Sequence, residues 1–250
     1  FAPQEARSQT VFETAIERFG PVAPEKREAL LRDLDRHATA LEAQSQIVKI
    51  VAKLVGPAVV HIEADVSAQS VPVYGGRRQF REEAGSGVIV TIGNGFHVLT
   101  NRHVIYHELD EPMRLSFEIQ LENGIQLPAV LDFYSRTHDL AVVIAPGIGG
   151  WGLPAPLRMC SDLAVGERIF AVGSPIGLDH SFTNGVISAL RWPMVQIDAT
   201  VHSGSSGGPI FDDRGRVCGI VTTSHMQKDF SFALCGETVL EMLDERLAVE

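Results

Sequence analysis

The sequence predicts an all-β protein with an N-terminal α-helical extension, on two observations. From Glu25 to Val55 there is neither Gly nor Pro, whereas beyond Gly56-Pro57 the chain breaks into short β-branched runs bounded by Gly, Pro, Asn or Asp. With 250 residues, 45% of them hydrophobic, it can bury a substantial core.

In the helical part, Leu34, Leu41, Val48 and Val55 recur every seven residues, and Leu31, Ala38, Ser45 and Ala52 precede them by three. This spacing lays an apolar seam along one helix face, to pack on the domain behind it or on a second helix of its kind. Gly20-Pro21 separates it from a shorter helical piece around residues 5–19.

After Gly56-Pro57 the strand-length runs come in order: "AVVHI", "GSGVIVT", "FHVLT", "LSFEIQL", "PAVLDFY", "DLAVVIA", "RIFAVG", "GVISAL", "VCGIV" and "FSFAL". Asn123-Gly124 marks a hairpin turn, and regular short strands of this kind build a sandwich or a barrel. Residues 145–156, "APGIGGWGLPAP", form a linker between two halves of similar size. The domains expected are therefore 1–55, 56–150 and 151–250, and the two β halves share no sequence repeat.

Composition excludes several functions. A net charge of −10, with only short basic clusters such as Arg77-Arg78, is wrong for a nucleic-acid binder. No apolar run approaches the ~20 residues of a membrane span, and "FAPQEARSQT" has neither the charged nor the apolar region of a signal peptide. Cys160, Cys218 and Cys235 are too few for a disulfide framework and contain no CxxC pair. Cys218 and Cys235 fall on segments read as neighbouring strands, so a cross-strand bridge and buried free thiols are both open, the free thiol being the commoner state. His103 and His107 are four apart, but no third ligand and no HExxH accompany them, so no metal is expected.

The chemistry concentrates in "VHSGSSGGPIFDDRGRVCGIV", residues 201–221. Gly204-Ser205-Ser206-Gly207-Gly208 fits the G-x-S-x-G of a nucleophile elbow, but Pro209 and a strand follow where that elbow needs a helix. Upstream, His103 ends an apolar strand in "HVLTNRHVIYHEL", and Asp139 immediately precedes a buried one in "RTHDLAVVIA". An aspartate so sheltered can accept a hydrogen bond from an imidazole and fix its tautomer, giving the order His, Asp, Ser.

Together, "GSGVIV…HVLTNRHVI", "HDLAVV", "VGSPIGLDHSFTNGVISAL" and "QIDATVHSGSSGGPIFDDRGRVCGIV" resemble the protease domain of the HtrA/Deg family, within the chymotrypsin-like serine proteases. The resemblance runs from about Pro57 to Ala233. It implies two six-stranded β-barrels, residues 56–150 and 151–250, with the active site in the cleft between them. By motif, His103 is the general base, Asp139 its orienting partner and Ser206 the nucleophile. The oxyanion site falls on the Gly204-Ser205-Ser206 segment, with the amides of Gly204 and Ser206 as donors and Ser205 turned away to support the loop. Thr200, Val201 and Thr222 are assigned to the S1 pocket, whose walls also draw on residues 222–224 and 230–232. With no acid in that stretch, small or medium apolar P1 side chains are expected.

The resemblance further implies an endopeptidase of protein quality control acting on unfolded polypeptides, without cofactor, outside the cytoplasm and commonly as a homotrimer. The segment 174–185 resembles the family's regulatory loop. The alternative is a latent or inactive protease fold serving as a peptide-binding scaffold. Ser203 and Ser205 depart from the proline and asparagine usual in the family, the helical extension has no counterpart in it, and the PDZ domain that usually follows is not among these residues.

Overall fold

A computed structural model of the chain describes residues 23–65, 83–105, 116–173, 181–202, 204–225 and 230–247. The helical piece around residues 5–19, His107 and residues 174–180 lie outside them. By its contacts the chain divides into two units after Ile47.

Helix α1 spans Pro24–Val55, matching the Gly- and Pro-free stretch. Its first part exposes Leu30, Leu31 and Leu34, whereas Val51 and Val55 are buried in the core of the second unit. A 3₁₀ turn, Gly56–Ala58, ends it at the proline.

Among the described residues twelve strands follow. They are β1 (Val59–Asp65), β2 (Glu83–Ile92), β3 (Gly95–Thr100), β4 (Ser116–Leu121), β5 (Gln126–Tyr134) and β6 (Ala141–Ile144) in the first half. The second half holds β7 (Arg168–Gly173), β8 (Ser181–Arg191), β9 (Met194–Ile197), β10 (Pro209–Phe211), β11 (Val217–His225) and β12 (Phe230–Cys235). Each half closes into an antiparallel barrel, in the orders β1-β2-β3-β6-β5-β4 and β7-β8-β9-β12-β11-β10. Counted within its own half, the strand order is the same in both. Topology therefore repeats where sequence does not, because closure needs only matched strand lengths and a period-2 pattern. The double barrel is the expected fold class. β9 and β10, of 4 and 3 residues, had no strand signal of their own in the sequence.

Alternation along the strands builds three apolar layers. Val60 and Ile62 of β1, Ile89 of β2, Val98 of β3 and Ala141 and Val143 of β6 fill the first barrel. Ile169, Ile187, Ile197, Ile210 and Val221 fill the second. The intervening residues, Val88 and Val90, Leu99, Val142, Phe170 and Val172, and Phe211, form a third layer shared by both barrels. Strands buried on both faces explain why the runs are apolar without alternation. At about 1.5–3 kcal/mol for each large side chain buried, the shared layer is ample to hold the barrels as one body.

Helix α2 is the short turn Arg102–Ile105, and α3 spans Gly236–Leu247, with Val239 and Met242 buried against the shared layer. α3 lies in the half from which only strands were expected, although Val239, Met242 and Leu243 follow helical spacing.

The cysteines correct the expectation. Cys160 and Cys235 form a disulfide with a Cα–Cα distance of 5.6 Å, which ties the 3₁₀ turn Cys160–Asp162 to the end of β12. Cys218 is the free, buried thiol, so neither a Cys218–Cys235 bridge nor three free thiols is found. The linker loop brings Cys160 to β12 from a distant stretch, which strand adjacency could not reveal. Burial, with the charge of Asp212 adding to it, pushes the Cys218 thiol up to about 12, so it is inert as a nucleophile. Alkylation in urea should accordingly add one group without reductant and three with it, read by intact mass. The Cys160→Ala/Cys235→Ala pair should lose about 2–5 kcal/mol in urea unfolding; three alkylations without reductant would refute the bridge.

Candidate active site

The site begins with the pairing of β3 and β6. Their register sets Thr100 opposite Ala141, so the residues just after β3 lie beside those just before β6. α2 follows β3 at once, with Val104 and Ile105 buried as its anchors and the His103 side chain left half exposed. Leu140, fully buried, anchors the other segment and leaves Asp139 at the rim.

Asp139 is held on both oxygens. Its Oδ1 accepts the His103 amide at 3.0 Å, and its Oδ2 accepts His103 Nδ1 at 2.7 Å and the Thr222 hydroxyl at 2.8 Å. Burial alone would raise its pKa. The hydrogen bonds and positive charge of His103, with the hydroxyl of Thr222, outweigh that cost and hold the carboxyl below its ordinary value. An ionised Asp139 only accepts, so Nδ1 carries a proton in either state of the ring; once the ring is neutral, the lone pair is on Nε2. Asn101, fully buried, fixes the same residue from behind by donating its Nδ2 to the Asp139 carbonyl at 2.8 Å.

Ser206 comes from the second barrel, on the loop before β10, and the first barrel holds it. Ser86 of β2 donates its amide to the Ser206 carbonyl at 2.8 Å and its hydroxyl to the Gly204 carbonyl at 2.7 Å. At Gly85 a side chain would collide with Val104, the neighbour of His103, and would press on the Ser206 carbonyl. The turn bearing His103 and the loop bearing Ser206 therefore pack against one glycine. Gly204 and Gly207 have φ of 90° and 81°, and a side chain at Gly207 would also strike Thr100 and the Ser86 carbonyl.

Ser205 is buried against Gly173 of β7. Its amide is spent on the His202 carbonyl at 3.0 Å, so it supports the loop and offers no donor to an anion. The amides of Gly204 and Ser206 take no acceptor among the described residues. The structure thus brings His103 and Asp139 into direct contact; no hydrogen bond joins the Ser206 hydroxyl to His103 among the described residues.

Beside Ser205 lies a narrow pocket of about 10 Å³, room for roughly one water. Thr200 and Val201 line it, with Gly173, Ser181, Thr183 and Val221. Thr222, assigned to this pocket from the sequence, does not line it, because β11 turns its hydroxyl to Asp139 instead. No acidic residue lines the pocket among the described residues. Ser86 and Asn101 are the contributors that sequence reasoning missed, and Thr222 was named there only for the pocket; Ser86 lay in plain view in "GSGVIV". Elsewhere Cys160, Cys235 and Glu237 cluster as metal-ligating types, but the two sulfurs are bonded to each other and Glu237 accepts the amides of Cys160 and Ser161.

The chain is 34% identical over 184 residues to the probable periplasmic serine endoprotease DegP-like of Ectopseudomonas mendocina, covering 68% of this chain and 36% of that protein. It is 31% identical over 209 residues to human serine protease HTRA3, covering 78% of this chain and 44% of the relative, so it spans under half the length of either. A crystal structure of the serine endoprotease from Yersinia pestis superposes with a TM-score of 0.62 at 26% identity, over 79% of this chain and 65% of that one. The model of the trypsin-like peptidase domain matches residues 85–220, more than half of the chain. The chain belongs to the trypsin-like peptidase family, on the branch of the DegP and HtrA serine proteases.

Proposed function

We propose that this chain is an HtrA-like serine endopeptidase that cleaves unfolded polypeptides through an acyl-enzyme. The observation that carries the proposal is the Asp139–His103–Thr222 arrangement, which commits Nδ1 to the carboxylate and leaves Nε2 as the ring's basic nitrogen, while Ser86 ties the loop of Ser206 to the first barrel. Ser206 Oγ attacks the scissile carbonyl carbon while its proton passes to His103 Nε2. The resulting oxyanion is met by the Gly204 and Ser206 amides. Collapse breaks the C–N bond, and His103 returns the proton to the departing amine. Water then hydrolyses the acyl ester with His103 again as base. No step calls for a cofactor or metal.

The narrow, acid-free pocket favours small or medium apolar P1 side chains, with Thr200 and Val201 as its walls. The names of the periplasmic relatives and the buried disulfide both favour a site outside the cytoplasm. A homotrimer is the family's habit, and the exposed Leu30, Leu31 and Leu34 of α1 are available to assembly.

A second reading is a latent enzyme or a peptide-binding scaffold. It is favoured by the unmade Ser206–His103 hydrogen bond and by a pocket with room for only one water. Opening of the pocket by a partner or substrate would then precede turnover.

Fluorophosphonate should label the wild type once and Ser206→Ala not at all, by intact mass; labelling of a folded Ser206→Ala would remove Ser206 as nucleophile. In a kcat/KM survey of P1 variants, Val or Ala should lead, and a lead by Arg or Lys would refute the pocket assignment. Asp139→Asn should cost about 10⁴-fold in kcat, since an amide partner stabilises the wrong tautomer. Its wild-type carboxylate has a lowered native pKa, so its stabilisation is complete above the ordinary value of 3.8 and is lost as pH falls through the native value. Acid titrations of unfolding should show the wild type losing its advantage over Asp139→Asn below that range.

A further inference from the structure

We propose that Glu245, near the end of α3, is a positioning residue for the reaction, fixing the loop that presents Asp139 to His103. This rests on the protease reading above and adds to it a residue outside the cleft.

The β5–β6 loop, residues 135–139, is organised around the Glu245 carboxylate. Oε2 accepts the Ser135 hydroxyl at 3.1 Å and the Arg136 amide at 3.2 Å; Oε1 accepts the Thr137 hydroxyl at 2.5 Å. A carboxylate only accepts, so it commits the protons of both hydroxyls. The Ser135 oxygen is then free to accept the amides of Thr137 at 3.2 Å and His138 at 3.0 Å, which curls the loop tightly ahead of Asp139. The Thr137 oxygen in turn faces His138 Nδ1 at 2.9 Å, and Glu241, one turn back on α3, approaches His138 Nε2 at 3.7 Å. The Thr137 hydroxyl, ahead of the opposing effect of burial, holds the Glu245 carboxyl below its usual range.

Ser135 is the junction to the chemistry. It is fully buried; its amide donates to the Leu140 carbonyl at 2.9 Å, and its carbonyl accepts Arg102 Nη1 at 3.1 Å. Leu140 adjoins Asp139, and Arg102 adjoins His103. One residue therefore ties the segments of both members of the dyad, and its side chain is held by Glu245. Without the carboxylate, two hydroxyls and an amide lose a charged acceptor, and the loop loses what sets its turn. A displacement of Asp139 by a fraction of an ångström misdirects the imidazole, which is felt in turnover rather than in substrate binding.

The test uses the whole chain with a fluorogenic peptide. Glu245→Ala should lower kcat about 10- to 100-fold with KM held within about twofold, because the acid moves and the pocket does not. Glu245→Gln keeps one carbonyl acceptor and should fall between. Glu237→Gln, on the same helix but bonded only to the Cys160 and Ser161 amides among the backbone donors of that turn, should lower Tm and leave kcat alone. The downfield proton resonance of Nδ1–H between His103 and Asp139 should shift or broaden in Glu245→Ala and stay in Glu237→Gln. Wild-type kcat and an unmoved resonance in Glu245→Ala would overturn the proposal, as would activity losses that merely track Tm in both variants. A wild type that neither turns over nor takes fluorophosphonate would count against the protease reading instead; the resonance, which needs no turnover, would still decide the role of Glu245.

Discussion

The packing of two closed barrels through one shared apolar layer is the constraint from which the site follows. Phe170, Val172 and Phe211 of the second barrel meet Val88, Leu99 and Val142 of the first in that layer. Each comes from a strand whose alternate residues fill its own barrel. A one-residue slip in any of these strands would exchange the two sets, so the register is fixed twice over. That double fixing lets two loops from different barrels be held at hydrogen-bond precision. Ser86 of β2 can bind the Gly204 and Ser206 carbonyls because β2 is itself immobilised on both faces.

Within that frame the electrostatics are one-sided. Burial of Asp139 works against its charged form, and the hydrogen bonds and charge of His103, with the hydroxyl of Thr222, outweigh it and hold its pKa below the ordinary value. The cost of sheltering a charge and the gain from its partners are thereby spent on one outcome, an imidazole with fixed tautomer and orientation. The side of Ser206 is less constrained. Its loop is anchored through the Gly204, Ser205 and Ser206 carbonyls, while the hydroxyl itself is unengaged by His103 among the described residues.

Much of this was legible in the sequence, for identifiable reasons. Strands buried on both faces leave apolar runs, so ten of the twelve could be found; β9 and β10 are too short to show a period, and Pro209 disguises the second. His103, Asp139 and Ser206 were singled out because each sits at the edge of such a run or among glycines, two of which take positive φ. Thr222 was read as a pocket residue, whereas its neighbour Val221 lines the pocket and the Thr222 hydroxyl donates to Asp139. The disulfide escaped because Cys160 reaches β12 by a fold of the linker and not by strand pairing.

What the sequence hid most completely is the help given from far along the chain. Ser135, Thr137 and Glu245 belong to ordinary residue types in unremarkable contexts, and nothing local marks any of them as belonging to the site. Their roles arise only when α3 packs Val239 and Met242 on the shared layer and so brings its last turns over the β5–β6 loop. A catalytic group can be recognised by its own chemistry, but a residue that orients one is recognised by the chain of hydrogen bonds leading to it. Here that chain runs from Glu245 through the buried Ser135 to the backbone on either side of the dyad. The helix that follows the second barrel is in this way joined by hydrogen bonds to the segment that carries Asp139.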